Sequence, residues 1–178
     1  MAVMVTCAAF IMPFTRGSIN AMNLTSDARN VQSAVSLAKM RAAATFSKAR
    51  VHVDLGNSTY YVERWNKAAN AWVTEGVVKM LSPNVAFSFA GIGAPPVNTQ
   101  PAIGQAPACL NNAGVAIANS ACVVFNSRGV PVDNVGVPVA TGAYYLTDMG
   151  TVFGITVSTG GMVQLWRSNI SGGSWALN

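Results

Sequence analysis

One histidine, three cysteines and six carboxylates are the whole stock for acid–base or metal chemistry in this 178-residue chain. His52 and Asp54 stand two apart in an alternating stretch. They would share one face of a strand, where a carboxylate–imidazole pair can serve a nucleophile. No serine sits in a nucleophile-elbow context, so His52 is read as an exposed strand histidine. Asp27, Asp54, Glu63, Glu75, Asp133 and Asp148 are too scattered for paired carboxylates or an oxygen-ligand loop. The cysteines and the histidine lack zinc-ligand spacing. Gly91 and Gly93 form a lone GxG, and Pro95 and Pro96 disfavour the helix a phosphate-cradling loop must open. The inventory points to no catalytic residue, metal, cofactor or small-molecule substrate.

Cys7 lies in an apolar segment and reads as a buried thiol. Cys109 and Cys122 lie close together in a loop-rich region and are read as closing a small disulfide ring rather than as two core thiols. A ring of that size removes about 3 kcal/mol of unfolded-state entropy and needs an oxidising compartment such as the periplasm. The chain carries a net charge of +5. Basic residues stand beside aromatics at Tyr60, Tyr61, Arg64, Trp65 and Lys67, and again at Trp166 and Arg167. Stacking plus phosphate contact uses such groups. A nucleic-acid surface would draw on Arg41, Lys48, Arg64, Lys67 and Arg167; otherwise these are strand aromatics packed on a helix with charges at the rim.

The element that must support the rest is a helix. Leu24, Ala28, Val31, Val35, Ala38, Ala42 and Phe46 recur three or four residues apart. No Pro or Gly stands between Ser18 and Arg50, which predicts a helix over 1–50, interrupted near Pro13 and Gly17. Residues 1–14 are free of charge, but a spanning helix needs roughly 20 apolar residues. The stretch also has no basic n-region or cleavage site. It is therefore read as a truncated membrane or filament-core segment. Charged residues make up only 10% of the chain against about 25% in typical soluble domains, so much surface is expected to face a membrane, a partner or an assembly. Arg16, Arg29, Lys39, Arg41, Lys48 and Arg50 are opposed only by Asp27. They form a solvated face and membrane-proximal collar, or a surface for an acidic partner or nucleic acid.

Past residue 50 the pattern is β. Strands are predicted at 51–54, 59–65 and 71–74, with a hairpin loop at 66–70, then a short apolar piece at 77–81 and a strand at 85–89. Residues 91–120, rich in Gly, Pro and Asn, read as a long loop presented outward. Strands resume at 122–126, 142–148, 152–157 and 162–167, the last two joined by a Ser158-Thr159-Gly160-Gly161 hairpin turn, and a Ser/Gly/Asn-rich tail follows. The fold class is α+β: a long N-terminal helix packed on an antiparallel β-sheet domain of residues 51–178.

These features together resemble one family. The apolar segment ending at Pro13 runs into an Ala-rich amphipathic helix. Then come Val123-Val124-Phe125-Asn126-Ser127-Arg128-Gly129, Tyr144-Tyr145-Leu146-Thr147-Asp148, and a closing Ile155, Val157, Gly161, Trp166 and Arg167. Over essentially its whole length the chain looks like a type IV pilin-like minor pseudopilin of the GspH/FimT type. The resemblance implies a non-catalytic subunit made as a prepilin, cleaved by a prepilin peptidase and methylated. It would be anchored in the bacterial inner membrane by its N-terminal helix, with a periplasmic β-domain. Its partners would be other pilins or pseudopilins at the tip of a type II secretion pseudopilus or type IV pilus. The family's glycine–aromatic processing junction and early glutamate are absent and would lie upstream of Met1. The alternative is a DNA-binding minor pilin for natural transformation. Members of the FimT branch carry arginines in the last Gly-containing motif; here Gly161-Met162-Val163-Gln164 has none, and Arg167 follows.

Overall fold

The computed structural model describes residues 19–178 apart from Thr141, and residues 2–18 as helical backbone only. Helix α1 spans Ala2–Ala44. Its stripe of Leu24, Ala28, Val31, Val35, Ala38 and Ala42 is buried. The break expected near Pro13 and Gly17 is not there. A proline removes one backbone hydrogen bond locally, and the rest of the helical ladder carries the backbone through. The helix also ends before Arg50. Ser47 N donates to Ala42 O (3.1 Å) and Phe46 N to Ala43 O (3.3 Å), with Phe46 in the left-handed region at φ 50°. This is a Schellman closure with phenylalanine where glycine is usual. Phe46, expected on the buried stripe, is therefore turned out to solvent.

Among the described residues nine strands follow, all paired antiparallel: β1 Ala49–Asp54, β2 Thr59–Asn66, β3 Ala71–Met80, β4 Ser120–Phe125, β5 Pro131–Val132, β6 Ala143–Thr147, β7 Thr151–Val157, β8 Val163–Asn169 and β9 Trp175–Leu177. They form two sheets, ordered β3-β2-β1-β4-β5 and β6-β7-β8-β9. Both pack on α1, and one core joins the helix stripe to Val51, Val53, Val123 and Phe125 of the first sheet and Tyr144, Leu146 and Ile155 of the second.

The pieces 71–74 and 77–81 are one strand with a bulge. Between Tyr60 and Val62 of β2 the partner strand carries three residues, 76–78, and Gly76 there takes φ +85°. Residues 85–89 keep only a bridge from Ala86 to Thr147. Nor does the whole of 91–120 project outward. Ile92 is buried, Ala106 N donates to Ala143 O, and Gln105 holds both N and O of Tyr145, so this part covers the outer face of the second sheet. The tail adds β9, whose Trp175 packs beside Tyr145.

Two contacts lock the sheets together. Tyr144 of β6 is fully buried. Its hydroxyl donates to Val51 O (2.8 Å) and accepts from Val123 N (2.7 Å), bridging β1 and β4. Burial pushes this phenol well above the ordinary tyrosine range, so it stays protonated. The second contact is at Lys39, whose Nζ donates to Gly161 O (2.9 Å). Lys39 methylenes lie 3.1 Å from where a Gly129 Cβ would sit, and a Gly161 Cβ would fall 2.3 Å from Gly129 O. Both glycines have positive φ. The two turns of the family-like motifs thus meet over one helix side chain, with Asn126 Oδ1 closing its own turn on Arg128 N and Val130 N.

Candidate functional site

Strand alternation puts Val51 and Val53 against the helix and sends Arg50, His52 and Asp54 to the opposite face of the first sheet. There Arg50 Nε donates to Glu63 Oε2 (2.6 Å), and the same oxygen lies 3.3 Å from His52 Nδ1. Arg50 also donates to Leu110 O and lies over the Trp72 ring at 4.0 Å. The exposed histidine expected from the sequence is instead buried, stacked on Tyr61 at 4.8 Å. Cross-strand neighbours and the loop around Cys109 cover it, which alternation alone does not show. Its carboxylate partner is Glu63 rather than Asp54, whose oxygens close the 54–57 turn on Gly56 and Asn57. Burial raises the Glu63 pKa, but the His52 hydrogen bond and the Arg50 charge overcome it and hold the carboxyl below its usual value.

Cys109 and Cys122 are joined as a disulfide beneath this cluster. Their sulfurs and the nearest His52 ring nitrogen lie within 4.8 Å of one another. The bond uses both thiols, so they supply no thiolate to a metal or a reaction. The bridge pins the 107–117 loop to β4, helped by Cys122 N donating to Pro107 O and Cys109 N to Ser120 Oγ. Between that loop, Trp65, Trp72 and the Val132–Val139 segment lies a cleft of about 290 Å³ with Lys48 at its rim. Its floor is mainly aliphatic and aromatic, and Arg50 there is held by Glu63, Leu110 O and the Trp72 ring.

The residues suggested for nucleic acid do not form one stripe. Arg41 is ion-paired with Glu75 (3.2 Å). Lys48 and Lys67 are exposed near one end of the first sheet, while Arg64 pairs with Ala49 and Val73 on its helix-facing side. Arg167 lies on the second sheet, in a separate crevice of about 610 Å³ between α1, β7 and β8 that also holds Arg29. Sequence reasoning passed over this crevice, because Arg29 and Arg167 are 138 positions apart.

A second feature is on the helix. Ile19, Met22, Leu37 and Met40 are exposed, at three- and four-residue spacing with exposed Ser26, Arg29 and Ser33 between them. They lie opposite the buried stripe, so the outward side of α1 carries exposed apolar side chains at both ends of a polar middle. The side chains of the apolar segment 1–14 lie outside the described residues. Among the described residues, no helix is long and apolar enough to cross a membrane.

A long N-terminal helix packed on two antiparallel sheets is the pilin-like α+β architecture. The crystal structure of the minor pseudopilin EpsH from the type II secretion system of Vibrio cholerae shares this fold with a TM-score of 0.51. Sequence identity is 12%, and the match covers 80% of this chain and 95% of that one. A second EpsH structure aligns with a TM-score of 0.43 at 11% identity, over 88% of this chain and 96% of that one. No protein-family model matches the chain. No curated protein matches it either.

Proposed function

We propose that this chain is a non-catalytic minor pseudopilin, a subunit of a type II secretion pseudopilus. Residues 1–14 would be its inner-membrane and filament-core segment, and residues 51–178 a periplasmic domain. The observation that carries the reading is the set of exposed apolar side chains on the outward side of α1. The helix already buries Leu24 to Ala42 against its own sheets, and still offers Ile19, Met22, Leu37 and Met40 outward. A free-standing domain gains nothing from that stripe; a helix packed laterally against other helices does. The Cys109–Cys122 bridge fits an oxidising periplasm.

Deleting the gene in its host and measuring secreted proteins in the medium tests the reading. The expected result is loss of secretion, restored by the wild-type chain and not by a Met22→Asp/Met40→Asp variant that still folds. Normal secretion after deletion overturns it.

A further inference from the structure

The crevice between the helix and the second sheet is an unmatched cationic site on the side of α1 that continues the outward apolar stripe. Its walls are Met22, Thr25 and Arg29 from α1, Thr151 and Phe153 from β7, and Arg167 from β8. Both guanidiniums are exposed, and neither has an ion pair or hydrogen bond among the described residues. The nearby acid on the helix, Asp27, is buried and accepts from Ser82 N on the other side. Two like charges facing one crevice repel each other unless a counter-charge is supplied from outside. Methionine and phenylalanine beside them make the site amphipathic, suited to an acidic segment with apolar side chains rather than to a free anion.

We infer that this crevice docks an acidic, apolar-bearing segment of a different subunit in the assembly. A second copy of this chain is a poor occupant. Each copy carries +5, and between Arg16 and Arg50 the only acid is the already occupied Asp27, so like surfaces would meet. The neighbour is therefore heterotypic and presents at least two carboxylates spaced to meet Arg29 and Arg167. This rests on the subunit reading above and adds to it the chemistry of the partner.

The test is fluorescence anisotropy on the full chain in detergent micelles, with a labelled octapeptide of alternating Glu and Leu as probe and a 12-base-pair DNA duplex as competitor. The peptide is expected to bind at 50 mM salt and to weaken as salt rises, and Arg29→Ala with Arg167→Ala to lower affinity several-fold, up to about thirtyfold, since each surface ion pair is screened and modest. Arg128→Ala, at an exposed position of the 126–129 turn, is expected to leave binding unchanged. The inference is overturned by no peptide binding at 50 mM salt, by binding that survives the double substitution, or by DNA displacing the peptide from the same two arginines at lower concentration. The titration does not depend on filament assembly. Failure of the secretion experiment refutes the subunit reading, while this measurement judges the crevice by itself.

Discussion

Replacing Tyr144 with phenylalanine removes one oxygen atom and leaves the ring in place. That oxygen satisfies two buried backbone groups at once, Val123 N at 2.7 Å and Val51 O at 2.8 Å. Each buried group left without a partner costs about 1–3 kcal/mol, so the variant should lose about 2–6 kcal/mol. Urea denaturation followed by tryptophan fluorescence reads the loss as a lower midpoint at unchanged slope. A second readout comes from pH. The phenol is raised by burial, so its share of stability is complete below the unfolded-state pKa near 10 and is lost as pH rises through the folded value. The phenylalanine variant should therefore lose less stability than wild type at high pH. Val51 and Val123 lie opposite each other in the β1–β4 register. If the variant costs less than about 0.5 kcal/mol, the two strands have closed on each other and the hydroxyl is not a required bridge.

Four further changes are predicted. Gly161→Ala would put a Cβ 2.3 Å from Gly129 O at φ +77°, so a loss of about 2 kcal/mol or more is expected in the same assay. Phe46→Gly should stabilise by about 1 kcal/mol, because Phe46 takes φ 50° at the helix end while remaining exposed; a loss would show that its ring makes contacts that matter. Glu63 has a depressed pKa, so its contribution is present above the usual carboxylate pKa near 4.5 and lost as pH falls through the folded value; Glu63→Ala should cost about 3 kcal/mol at pH 7 by stranding Arg50, and flatten the acid limb of the stability curve. Reducing the Cys109–Cys122 bond should cost about 3 kcal/mol, with the 107–117 loop losing hydrogen-exchange protection before the sheets do.

The helix stripe and most strands were legible because periodicity reports which side chains meet a core. Leu24 to Ala42 lie where their spacing puts them, and the Cys109–Cys122 ring expected from the sequence is formed. The helix end was missed because its left-handed residue is Phe46, and no glycine marks the stop. The bulge at Gly76 split one strand into two apparent pieces. His52 is buried because of what crosses its face, here Tyr61 from the next strand and the Cys109 loop, which is distant in sequence. The Val123-to-Gly129 motif was noticed as a pattern, but its role emerges only where Gly129 meets Gly161 over Lys39. The Arg29–Arg167 crevice left no trace in the sequence, since a sheet from the end of the chain folds back beside the middle of the helix.

The central claim is that α1 packs against other subunits through its outward face. The most direct measurement is site-specific cross-linking in cells that express the secretion machinery, with a photo-reactive residue at Met40 and a control at Lys67 in the β2–β3 turn. The account predicts an adduct from position 40 whose partner peptide, read by mass spectrometry, comes from the N-terminal helix of another pseudopilin, and none from position 67. Position 40 cross-linking to no pilin-like subunit, while position 67 does or neither does, would contradict it.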